Sequence, residues 1–146
     1  MFEVVKWEKR EHKGAMIRLP QRATKSACAY DIYSPCNISI PVGCSVMIWT
    51  DIKVKLKDDQ VCLLNVRSSM GKFPIMLANT QGWIDADYYS NEGNDGNIGL
   101  NLLNLSKKPY EIKEGDRIGQ AMIVKFCTFD DNVDTVRSGG FGSTGT

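Results

Sequence analysis

Most of the chain reads as short runs in which apolar and polar residues alternate, broken by Gly, Pro, Asn or Asp. A period of two belongs to half-buried β-strands rather than to helices. Residues 37–40 alternate polar and apolar before Pro41-Val42-Gly43 turns the chain. Residues 46–49 follow, and then Ile52, Val54 and Leu56 fall on one face of a run that also holds Lys53 and Lys55. Lys57-Asp58-Asp59-Gln60 reads as a turn, and the apolar run 61–66 ends at Arg67-Ser68-Ser69. Residues 98–105 are a further strand, broken by Ser106-Lys107-Lys108-Pro109. Tyr110 and Ile112 lead into the turn Glu114-Gly115-Asp116, and 118–126 is the last long strand. A short helix is expected over 70–77, and residues 88–97 form a polar Gly/Asn loop. Many short, evenly spaced strands predict an all-β barrel or sandwich. Residues 1–146 read as one domain, with residues 130–146 as a flexible C-terminal arm.

Composition narrows the chemistry. The 146 residues are 42% hydrophobic with a formal charge of +1. That balance argues against electrostatic coating of nucleic acid, though not against a local phosphate site. No apolar run is long enough to span a bilayer as a helix, and the first residues lack a signal-peptide pattern, so a cytoplasmic protein is expected. The five cysteines are odd in number and lack CxxC spacing, which predicts small buried thiols. His12 is the only histidine, which excludes a multi-His zinc site, and a general base would be a carboxylate. Phe2, Trp7, Trp49, Phe73 and Phe126 are expected in the core or at subunit contacts.

Several segments could carry chemistry. Gly139, Gly140, Gly142 and Gly145 surround Ser143 and Thr144, with Arg137 upstream. Such a segment can turn backbone N–H groups and hydroxyls toward an anion, and Phe141 within it could stack on a base. Asp85 and Asp87 are two apart and would point the same way in an extended segment, which suits metal binding or a base beside a substrate. Arg67-Ser68-Ser69 at a strand end could hold phosphate. Each pattern taken alone also fits a solvated turn or tail.

Taken in order, Ala29-Tyr30-Asp31-Ile32, Arg67-Ser68-Ser69, Gly82-Trp83-Ile84-Asp85-Ala86-Asp87-Tyr88, Gly115-Asp116-Arg117-Ile118-Gly119-Gln120 and Arg137 with Phe141-Gly142-Ser143-Thr144-Gly145 resemble the five motifs of the trimeric dUTP pyrophosphatases. The resemblance runs from about residue 26 to the end of the chain. It implies a β jelly roll, a homotrimer with exchanged C-terminal arms, and Mg²⁺-dependent hydrolysis of dUTP to dUMP and pyrophosphate. It implies no membrane and no direct nucleic-acid partner. Carried over residue by residue, Asp85 is the acid that activates the attacking water, with Asp87 supporting its loop. Asp31 is linked to the metal through water. Arg67, Ser68, Ser69 and Gln120 hold phosphates. Asn79, Gly82, Trp83, Ile84 and the peptide at Gly99 belong to the uracil-reading hairpin and its partner strand. Tyr88 lies beneath the deoxyribose, where a 2′-hydroxyl would collide. Arg137 reaches the γ-phosphate, Phe141 covers uracil, and Gly142, Ser143 and Thr144 close the arm over the phosphates.

The chain departs from the family pattern at Ala29, Val66 and Trp83, and has one residue fewer between Arg137 and Phe141. Its loop after Tyr88 resembles a variant of bacterial and phage members. Two alternatives share the fold: a dCTP deaminase, and a phage regulatory protein that binds a repressor under nucleotide control.

Overall fold

The computed structural model describes residues 1–129 together with Val133, Thr135, Arg137, Gly139 and Gly140. Twelve strands build it: β1 (Phe2–Val4), β2 (Gln21–Arg22), β3 (Ala29–Tyr33), β4 (Ile38–Ile40), β5 (Ser45–Trp49), β6 (Ile52–Val54), β7 (Gln60–Asn65), β8 (Ile75–Leu77), β9 (Gly82–Ile84), β10 (Gly99–Asn104), β11 (Tyr110–Ile112) and β12 (Arg117–Lys125). Every pairing among them is antiparallel. The largest sheet runs β2-β3-β12-β7-β9, and a second runs β5-β10-β8. Two ribbons, β1-β6 and β4-β11, complete the set.

The last strand, β12, lies in the middle of the large sheet, held between β3 and β7. Alternation explains the packing. Along β10, Leu100, Leu102 and Asn104 are buried while Gly99, Asn101 and Leu103 are partly open. The core gathers Ile32, Ile40, Ile48, Leu64, Leu100, Leu102 and Ile118, each 2% exposed or less. Full burial of an aliphatic side chain contributes about 1.5–3 kcal/mol, so this cluster is the main stabilising element.

The structure corrects two sequence readings and adds to two others. The expected helix over 70–77 is a single 3₁₀ turn, Met70–Lys72, followed by β8. Pro74 lies inside that segment, lacks a backbone donor and disfavours helix in the residue before it. Cys62 alone of the cysteines is buried, and burial pushes its thiol up to about 12. Trp7, Phe73 and Phe126 are exposed in the single chain and so are not core residues. Lys53, on the strand face opposite Ile52 and Val54, is buried along with them. The arm's boundaries at 130–146 lie largely outside the described residues.

Candidate active site

The site forms where the two large sheets part. β8 pairs with β10 in the three-stranded sheet, while β9 pairs with β7 in the five-stranded one. The turn between β8 and β9 therefore crosses from one sheet to the other. It is tight: the Thr80 amide donates to the Leu77 carbonyl at 2.9 Å, and the Gln81 amide to that of Asn79 at 2.8 Å. The Gln81 side chain donates to Asn65 Oδ1 at 3.1 Å, which ties the turn to β7. Gly82 sits opposite Leu64, and a Cβ there would lie 3.0 Å from Leu64 Cβ, so a residue without a side chain lets the strands close.

A cavity of about 440 Å³ opens in this seam. Leu64, Leu77 and Leu100 supply apolar surface; Asn79, Gln81 and Asn101 supply polar groups. The expected Gly82, Trp83, Ile84, Asp85, Tyr88, Gly99 and Arg137 also line it. That size and mixture suit one small organic ligand oriented by a few polar contacts. Trp83 is 64% exposed, so its indole stands at the opening rather than in the core.

Asp85 precedes a 3₁₀ turn, Ala86–Tyr88, so Asp85 and Asp87 are not side by side on an extended strand as alternation implied. Arg137 nevertheless gathers both. Its Nη2 donates to Asp85 Oδ2 at 3.0 Å and its Nε to Asp87 Oδ1 at 2.9 Å. The guanidinium also lies 5.6 Å from the Tyr88 ring centre. The carboxylates face solvent while the guanidinium is largely covered.

Tyr88 is buried beneath this rim. Its hydroxyl donates to the Asn97 carbonyl at 2.8 Å and accepts from Asn94 Nδ2 at 2.7 Å. Burial pushes the phenol above its ordinary pKa, against the Asn94 hydrogen bond and the Arg137 charge. The loop that carries Asn94 and Asn97 depends on Gly96, whose φ is +81° and whose added Cβ would lie 2.9 Å from the Tyr88 carbonyl oxygen. Gly96→Ala is expected to destabilise the protein by about 2–3 kcal/mol, through left-handed backbone strain plus the clash. Urea unfolding measures this, and an unchanged midpoint would show that the loop conformation is not required.

A second cluster lies apart from the cavity. Asp31, on β3, is buried and shared by two arginines: Arg67 Nε at 2.8 Å from Oδ1 and Arg117 Nη1 at 3.3 Å from Oδ2. Gln120 sits between Asp31 and Asn65 in the β3-β12-β7 register. A smaller cavity of about 210 Å³ is lined by Arg67, Ser69, Arg117 and Asp116 among others, and Ser68 is exposed. Two fixed guanidiniums beside a hydroxyl suit phosphate oxygens. Arg117 stood inside a quoted motif without an assigned role, and its pairing with Asp31 could not be read before β3 and β12 were known to be neighbours. Leu64, Leu77, Leu100 and Asn101 were likewise missed, since only the seam between sheets brings them together. Phe141, Gly142, Ser143 and Thr144 lie outside the described residues.

The sequence pattern that defines the dUTPase family matches residues 15–145. The chain is 33% identical over 148 aligned positions to a deoxyuridine 5′-triphosphate nucleotidohydrolase of Lactococcus lactis, covering 99% of this chain and 96% of that one. A crystal structure of the dUTPase of Streptococcus mutans superposes with a TM-score of 0.78 at 28% identity, covering 88% of this chain and 98% of that one. The dUTPase of Staphylococcus aureus phage phi11, whose D95N variant was solved to describe a structural Mg(II) ion, superposes at 0.71 with 23% identity, over 92% and 96% of the two chains.

Proposed function

The chain belongs to the dUTPase family, and we propose on that premise that it hydrolyses dUTP to dUMP and pyrophosphate, with Asp85 as the base. The observation that carries the assignment is the seam cavity, which sets a carboxylate at the rim of an apolar pocket walled by the β8-β9 turn. A nucleobase fits the apolar part, and backbone groups of the turn and of β10 face its polar edge. The deoxyribose then rests on Tyr88, and the α-phosphorus comes near Asp85. A water oxygen attacks that phosphorus, its proton passes to Asp85, and the bond to the bridging oxygen breaks as pyrophosphate leaves with the electron pair. The named relatives are nucleotidohydrolases, so the comparisons favour neither a deaminase nor a purely regulatory reading.

The residues present fit Mg²⁺ carried by the triphosphate. Asp31 is already neutralised by Arg67 and Arg117, and among the described residues no group of three or more acids, His or Cys gathers as a cage. Magnesium keeps waters readily, so phosphate oxygens with Asp31 reaching the ion through water would hold it. When bound it neutralises charge on the triphosphate.

A homotrimer accounts for the separation of the two clusters. The seam cavity and the Arg67–Arg117 cavity share no lining residue within one chain, so a triphosphate nucleotide would be completed across subunits. Exposed Phe73, Leu105 and Phe126 supply apolar surface for such contacts. Among the described residues no helix is long and apolar enough to cross a membrane, and we assign the enzyme to the cytoplasm.

Pyrophosphate release from dUTP, dCTP, dTTP and UTP, each with and without Mg²⁺, tests the proposal. Fast, Mg²⁺-dependent release from dUTP alone is expected, whereas ammonia release from dCTP or inactivity toward dUTP would overturn it.

A further inference from the structure

The 88–97 loop carries few buried apolar side chains, yet it is closely bound to the β1-β6 side of the fold. Lys53, on β6, is the centre of that attachment. Its side chain is 6% exposed, and the ammonium lies 2.9 Å from Asp95 Oδ2, 3.1 Å from Ser90 Oγ and 4.8 Å from the centre of the Tyr89 ring. A desolvated ammonium persists only when paired, and all three of these partners come from the loop. Ser90 and Asp95 are also left-handed, with φ of 55° and 58°. Non-glycine residues keep such strain where surrounding contacts over-determine it, and often where function needs the geometry. Here the strained residues include the two that hold the Lys53 ammonium.

The loop in turn holds Tyr88. Asn94 occupies one hydrogen-bonding position of the Tyr88 hydroxyl and the Asn97 carbonyl the other. Asn94 is itself fixed, since its Oδ1 accepts from Asn91 Nδ2 at 2.8 Å and from the Gly96 amide at 3.1 Å. A continuous set of contacts therefore joins Lys53 to the phenol through Asp95, Gly96 and Asn94.

We propose that Lys53 is a positioning residue for sugar selection: it holds the 88–97 loop closed so that Asn94 fixes the Tyr88 ring against the place of a ribose 2′-hydroxyl. This rests on the reading of Tyr88 as the surface beneath the deoxyribose. Lys53 lines neither of the two cavities above and acts only through the loop. Loss of the contact should let the ring move and admit UTP, with little effect on the chemistry at Asp85.

The test uses the full chain and compares kcat/KM for dUTP and UTP in Lys53→Met, Asn94→Asp and Tyr88→Ala. Asn94→Asp keeps the Oδ1 acceptor but loses the donor to Tyr88. In Lys53→Met and Asn94→Asp the dUTP:UTP ratio is expected to fall about tenfold, with kcat for dUTP within about threefold, since small misplacements in a site produce changes of this order. A merely structural role would lower stability without moving the ratio. If Lys53→Met does not fold, Asn94→Asp decides, and an unchanged ratio there overturns the proposal. If Asn94→Asp shifts the ratio but a folded Lys53→Met does not, Lys53 has no such role. Tyr88→Ala separates the premises. A relaxed ratio in that variant alone removes the loop mechanism and keeps the sugar reading; an unchanged ratio there removes the sugar reading itself.

Discussion

Asp85→Asn is expected to lower kcat for dUTP by about 10³-fold, within the usual range for removing a general base, while binding of a non-hydrolysable dUTP analogue changes little. The two side chains have the same shape, and Arg137 Nη2, now 3.0 Å from Oδ2, can donate to the amide oxygen instead. What disappears is the capacity to take a proton from the attacking water. Asp87→Asn is the control. Asp87 holds the Nε of the same arginine but lines the adjoining polar pocket rather than the seam cavity, so its loss should cost less than about tenfold. Single-turnover release of pyrophosphate, paired with calorimetric binding, measures both effects. Near-normal turnover by Asp85→Asn would sink the assignment of the base, and an equal loss in Asp87→Asn would show that the pair acts as a unit.

The central strands were legible for different reasons: burial alternates along β10, whereas β12 is a long apolar run entered from a turn. The run expected over 118–126 is β12, at Arg117–Lys125, and the run over 98–105 contains β10. β1 and β2 were not legible. They have three and two residues, too short for a period to show, and they pair only at the margin of the fold. The burial of Lys53 was not legible for a physical reason: alternation describes one sheet face, and it cannot reveal that a loop more than thirty residues away will cover the other. Order along the chain brought the site residues into view through their resemblance to a known family. It did not show that Asn79, Gly82, Ile84, Asp85, Tyr88 and Gly99 share one cavity while Arg67 and Ser69 line another. That division depends on which strands neighbour one another, a long-range property of the fold.

Deleting residues 137–146 is expected to leave a folded protein whose kcat/KM for dUTP falls by about 10²-fold or more, because phosphate-binding arginines and closing segments act mainly on the transition state. The described contacts of Arg137 with Asp85 and Asp87 involve half-exposed carboxylates, and such pairs add little to folding stability. The urea midpoint should therefore stay nearly fixed while activity falls. Arg137 neutralises the rim of the cavity through Asp85 and Asp87, and a triphosphate offers the guanidinium a stronger bidentate partner. Its transfer from Asp85 to the nucleotide would free the carboxylate to accept a proton as substrate arrives. Arg137→Ala separates this action from the rest of the arm: it should lose activity while retaining the segment from Phe141 to Thr146. Full activity in the truncated enzyme would overturn the role of the arm. A truncated enzyme that fails while Arg137→Ala works normally would place the effect in the residues beyond Arg137.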